Sequence, residues 1–136
     1  MMTSFADWLE IHNLKARYCR LLDTKDWEGW GQVFTEDVEL DVRGSGGEVM
    51  RGRAAVVESV RGSIGEAKTA HQVHSPEITI DGDGATAIWA MQDRVVWDGG
   101  RGLTGYGHYH ERYVRTAEGW RIAEQKLTRL HMDFDA

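Results

Sequence analysis

The chain has 136 residues, enough for one domain with a buried core and too few for two. A hydrophobic fraction of 41% with a charged fraction of 28% excludes a disordered chain. A net charge of -6 without any clustered Lys and Arg speaks against a nucleic-acid groove. No run approaches the length of a membrane span, so no membrane partner is expected. The stretch "MMTSFADWLEIHNLKARYCRLLD" lacks the basic-then-apolar order of a secretory leader, and Cys19 has no second cysteine to pair with. A cytoplasmic protein is therefore expected, with Cys19 a small inert hydrophobe inside a helix.

Residues 4–22 predict an amphipathic helix. Ser4 is its N-cap, and Trp8, Ile11, Leu14, Tyr18, Leu21 and Leu22 recur at spacings of three and four. "DTKDWEGWGQVF" reads as a loop and a short helix burying Trp27, Trp30 and Phe34. "TEDVELDV" alternates Val38, Leu40 and Val42 as a first strand, ended by Gly44, Gly46 and Gly47. "RGRAAVVESVRGSIG" places Ala54, Val57 and Val60 or Ile64 on one side of a third helix. From Lys68 onward come four strand-like runs, "HQVHSPEITID", "ATAIWAMQDRVVWD", "GYGHYHERYVRT" and "WRIAEQKLTRLHM". They are joined by Gly- and Asp-rich hairpin turns. Helices followed by an antiparallel meander define an α+β fold: a single domain, residues 1–136, with a curled antiparallel sheet wrapped around N-terminal helices. The inside of such a cone is either filled or a pocket.

Polar residues gather in five places: Tyr18 with Asp23, His71 with His74, Asp93, His108 with His110, and Arg129 with His131. None forms a metal, nucleotide or serine-nucleophile motif, so no cofactor or metal is expected. Each has an ordinary explanation. His71 could cap a backbone group where a strand begins, Asp23 could stop a helix, Tyr18 could sit at the core's edge, and Arg129 could pair with a carboxylate at a subunit interface. His74, three residues beyond His71, falls on the opposite strand face and reads as structural. His108 and His110 share a face but lack a third zinc ligand. Asp93 has the parity of Trp89 and Trp97; Asp93, Trp89 and His108 are candidate substrate-binding residues.

The runs "YCRLLDTKDW", "FTEDVELD", "HQVHSPEITIDGDGATA" and "GWRIAEQKLTR", in that order, resemble the SnoaL-like proteins of the nuclear-transport-factor-2-like superfamily. The likeness covers nearly the whole chain and is closest to the pattern of the bile-acid 7α-dehydratases, with scytalone dehydratases and hexachlorocyclohexane dehydrochlorinases more distant. It implies the cone-shaped fold and cofactor-independent elimination by an Asp–His dyad. Carried onto this chain, His71 is the general base, Asp23 its partner, and Tyr18 and Arg129 hydrogen-bond donors to developing negative charge. A neutral imidazole suits that task near neutral pH.

The expected activity is dehydration of an apolar, hydroxylated, steroid- or polyketide-like ring compound. An isomerase or cyclase using the same base is the alternative, because proton abstraction beside a carbonyl is common to all three. Epoxide hydrolysis is disfavoured, since only Asp23 and Asp93 are available as carboxylates. A non-catalytic ligand-binding or assembly module is the rival from another class. The outer sheet face is expected to carry Trp and Tyr side chains and to make a homo-oligomer, a trimer in preference to a dimer.

Overall fold

The computed structural model describes residues 4–135. Helix α1 (Phe5–Asp23) begins at Ser4, whose hydroxyl accepts the Asp7 N–H at 3.4 Å. It buries Ile11, Leu14, Lys15, Tyr18 and Leu22. The helix repeat is as expected, but Trp8 stays 39% exposed, while Lys15, a residue the apolar pattern passes over, is wholly buried. A left-handed Lys25 (φ 64°) turns the chain into α2 (Trp27–Gly31), capped by Asp26 through the Gly29 N–H at 2.9 Å. In α3 (Arg53–Ile64) Val56 is fully buried, with Val57, Val60 and Ile64 partly packed on the core. Ala54, expected inside, faces out, because the helix rolls by one position to bring Val56 inward.

Six strands form one curled, open sheet: β1 (Phe34–Asp41), β2 (Val49–Arg51), β3 (Lys68–Asp81), β4 (Gly84–Val96), β5 (Gly102–Thr116) and β6 (Gly119–Phe134). Their spatial order is β2-β1-β6-β5-β4-β3. The four predicted runs after Lys68 form the expected meander. The sheet is not wholly antiparallel, however: β1 and β6 pair in parallel, since they meet by chain return rather than through a hairpin. Strand β2 has only three residues, too short to show an alternating pattern. The chain's one proline, Pro76, lies on the edge strand β3, where a register shift between His74 and Glu77 absorbs it.

Alternation divides the sheet cleanly. Ala85, Ala87, Trp89, Met91, Asp93 and Val95 of β4 are buried on the concave face. The outer face differs from expectation: it carries Tyr106 and Ile88 with His74, His108, His110 and His131, and no tryptophan. The tryptophans of β4 and β6, Trp89 and Trp120, occupy inward positions instead. Among the described residues, no helix is long and apolar enough to cross a membrane.

The closed end of the cone is filled by Ile11, Leu14, Trp30, Phe34, Val38 and Trp120, all fully buried. Asp7 pins α1 over it. Its carboxylate accepts two Arg115 N–H groups at 2.8 and 2.9 Å and the Trp120 indole N–H at 3.1 Å. The Arg115 hydrogen bonds, then that of Trp120, bring its pKa down from 3.8 to about 2. A carboxyl whose folded pKa is depressed stabilises the fold above its unfolded pKa and ceases to do so as pH falls through the folded one. Urea midpoints of the natural chain are therefore expected to fall between pH 3.8 and about 2 by more than those of Asp7→Asn. Parallel curves for the two proteins would refute the linkage.

Candidate active site

Asp23 closes α1 and reaches the start of β3. Its Oδ1 accepts the Thr69 hydroxyl at 2.9 Å and the His71 Nδ1–H at 2.7 Å, and its Oδ2 accepts the His71 backbone N–H at 2.8 Å. Lys25 Nζ donates to Thr69 Oγ1 at 2.9 Å, leaving the threonine hydrogen for Asp23. Burial works to raise the Asp23 pKa, but the His71 ring and backbone hydrogen bonds, with Thr69, outweigh it and hold the carboxyl below its usual range. An ionised carboxylate can only accept, so in the neutral ring of His71 the proton resides on Nδ1 and Nε2 carries the lone pair.

The His71 side chain is 7% exposed, and Nε2 lies 4.0 Å from Asp93 Oδ2. Asp93, from β4, is held by a bidentate pair with Arg129 of β6 at 2.8 and 3.0 Å; Arg129 Nε also donates to Ser45 Oγ at 2.8 Å. Gly105 of β5 faces this pair, and a Cβ there would overlap Arg129 Nη1 and Asp93 Oδ1. Glycine in a strand interior marks such a close approach. His71, Asp93, Arg129 and Ser45 line a cavity of about 400 Å³, whose remaining wall is largely apolar, including Leu22, Leu40, Val60, Val95, Trp97 and Leu127. It falls within the usual range for small-molecule sites.

Behind the cavity lies a buried polar network. Lys15 Nζ donates to Glu111 Oε2 at 2.6 Å, with both side chains fully buried, and sits 3.7 Å from the ring centroids of Tyr18 and Tyr109. Gln125 Nε2 donates to Glu111 Oε2 at 2.6 Å, and the Tyr113 hydroxyl donates to Glu111 Oε1. Trp89 Nε1 donates to the Tyr113 oxygen at 2.8 Å. Tyr18 then donates to Gln125 Oε1 at 3.1 Å. Burial, with the Glu111 charge adding to it, pushes the Tyr18 pKa upward, so the phenol stays protonated.

Of the seven expected site residues, the fold brings His71, Asp23, Asp93, Arg129 and Tyr18 together. Tyr18 lines the cavity, but its hydrogen is committed to Gln125, which departs from the expected donor role. Trp89 lies inside but outside the cavity lining: it packs edge-on to His12 and bonds Tyr113, the closed part of the cone having claimed its ring. His108 is on the outer face, because its neighbours Gly107 and Tyr109 take the inward parity. His74 also faces out, three residues from the inward His71. The rings of His108 and His110 are 6.3 Å apart, and the described residues contain no group of three or more metal-binding side chains. Gln125, Tyr109, Ser45 and Gly105 were missed. Only Gly105, a glycine between strand residues, left a sequence signal.

The SnoaL-like domain family matches residues 3–126, so the chain belongs to the SnoaL-like family. A crystal structure of a Kribbella flavida protein is 28% identical, covers 94% of this chain and 93% of its own, and superposes with a TM-score of 0.87. An uncharacterised Mycobacterium tuberculosis protein is 28% identical, over 94% of this chain and 88% of the relative. A Gibberella zeae protein named a probable cyclase is 25% identical, over 89% of each.

Two outcomes follow from this geometry. Lys15→Met should destabilise the fold by about 3–5 kcal/mol in urea denaturation, since Glu111 is left as an uncompensated buried charge. Adding Glu111→Gln should recover part of that loss. Gly105→Ala should disturb the Asp93–Arg129 pair and weaken ligand binding in the cavity more than it lowers the unfolding midpoint, which paired calorimetry and denaturation can measure.

Proposed function

We propose that this protein is a cofactor-independent lyase that eliminates water from a neutral, apolar, hydroxylated ring compound of steroid- or polyketide-like character. The observation that carries the reading is the His71 tautomer: Asp23, itself held by Thr69 and the His71 backbone N–H, accepts Nδ1–H and leaves Nε2 free beside an apolar cavity. That nitrogen takes the proton from a substrate carbon acidified by a neighbouring carbonyl, and the Asp23 carboxylate stabilises the imidazolium that forms. The C–O bond then breaks, and the same imidazolium returns its proton to the departing hydroxide, releasing water and restoring neutral His71. No redox equivalent is consumed.

Arg129 takes part as the electrostatic partner of Asp93, whose carboxylate lies 4.0 Å from Nε2. Because Arg129 is already neutralised by Asp93, the cavity offers little to a phosphate or carboxylate, which supports a neutral substrate. A second reading, a cyclase or isomerase driven by the same His71, is favoured by the similarity to the Gibberella zeae protein. We further propose self-association through the outer sheet face, as a trimer in preference to a dimer; the exposed Ile88 and Tyr106 on that face support it.

The test is incubation with a panel of β-hydroxy ring ketones and product analysis by mass. Loss of one water identifies elimination, and an isomeric product of unchanged mass supports the second reading. On a confirmed substrate, His71→Ala should lower turnover by about 10²-fold to 10⁴-fold in a folded protein. Asp23→Asn should lower turnover with little change in ligand affinity, because the amide no longer enforces the tautomer. Undiminished turnover in His71→Ala would sink the assignment.

A further inference from the structure

The hydrogen-bond network behind the cavity has a direction that its members' chemistry fixes. The Lys15 ammonium and the Trp89 indole can only donate, and an ionised carboxylate can only accept. Glu111 receives Lys15 Nζ, the Tyr113 hydroxyl and the Gln125 side chain together, in a salt bridge whose two side chains are fully buried. Gln125 must therefore turn its NH₂ toward Glu111, an orientation set by the acceptor rather than by the amide. Its oxygen then faces Tyr18, at 3.1 Å, and takes the single phenolic hydrogen. What Tyr18 has left for the cavity is lone pairs.

We infer that Tyr18 is a hydrogen-bond acceptor within the cavity, and that its side of the site selects a ligand hydroxyl over a carbonyl oxygen. The neighbouring Tyr109 lines the same cavity, its ring 5.7 Å from that of Tyr18, and its hydroxyl donates to Tyr18, so neither phenolic hydrogen is left for a ligand. A ligand hydroxyl can donate to the lone pairs that the two phenols keep. A carbonyl can only accept, so it leaves those lone pairs without a hydrogen. This deepens the proposed function, resting on that reading for the cavity being the substrate site. A substrate reaching His71 Nε2 with its acidified carbon would carry a hydroxyl, not its carbonyl, toward Tyr18. Tyr18 and Gln125 would then be specificity-determining and positioning residues respectively.

The experiment compares 2-tetralol with 2-tetralone, two rings of the same size differing in that one group. The alcohol has no acidified C–H and the ketone has no leaving hydroxyl, so binding is read without turnover. Calorimetric titration of the full chain should show the alcohol bound about tenfold more tightly. Gln125→Met frees the Tyr18 hydrogen to rotate into the cavity, and the preference should vanish or invert. Tyr18→Phe removes the acceptor and should also abolish it, which keeps the test decisive if the first variant fails to fold. Equal affinities in the natural chain, a tighter ketone, binding of neither at millimolar concentration, or an unchanged preference in a folded variant would each overturn the inference. Absence of elimination products with the alcohol preference intact would remove the proposed function and leave the subsite standing.

Discussion

The carboxylate of Asp23 is the contact on which the site depends. It stands at the last residue of α1 and takes three hydrogens from the first residues of the edge strand β3. One bond, from the His71 backbone, fastens helix to strand; another, from the ring, fixes the tautomer and the direction of Nε2. Structure and chemistry thus share one group, and a change there is felt in both. The edge strand has a sheet partner on one side only, so this tie from the helix supplies part of what a second strand would have given.

A second constraint lies deeper. Burying Lys15 and Glu111 together is expensive in desolvation, and an apolar pair of similar volume would often be as stable or more so. The pair imposes a direction on its surroundings. With Glu111 accepting from Lys15, Tyr113 and Gln125 have one orientation each, and Gln125 passes that choice to Tyr18. A core made only of Leu and Phe would hold Tyr18 in place but would not decide where its hydrogen points. The two polar systems meet at the cavity from different sides, Asp23–His71–Asp93–Arg129 and Lys15–Glu111–Gln125–Tyr18.

The family defines the container more firmly than the reaction. Relatives over most of the chain include an uncharacterised protein and one named as a cyclase, and a shared cone accommodates different chemistry through a few inward side chains. In this chain those side chains are a histidine held by a carboxylate, an arginine paired with another, and a phenol that donates to Gln125.

Local pattern determined much of the architecture. The apolar spacing of Ile11, Leu14, Tyr18 and Leu22 specified α1, and the Gly- and Asp-rich turns specified the meander after Lys68, because both are set by neighbours within a few residues. Strand parity alone put His71 and His74 on opposite faces. Parity could not say how far along the cone a residue lies, so Trp89, inward like Asp93, sits in the closed core rather than the cavity. Nor could it show that Lys15, a charged residue beside the apolar stripe, would find Glu111 on β5, since that depends on where α1 settles across the sheet. The parallel joining of β1 to β6, the room Gly105 leaves for Asp93 and Arg129, and the direction of the Tyr18 hydrogen bond arise between residues remote in sequence. Those were decided only in the tertiary structure, because a hydrogen bond's direction belongs to the whole network of donors and acceptors around it.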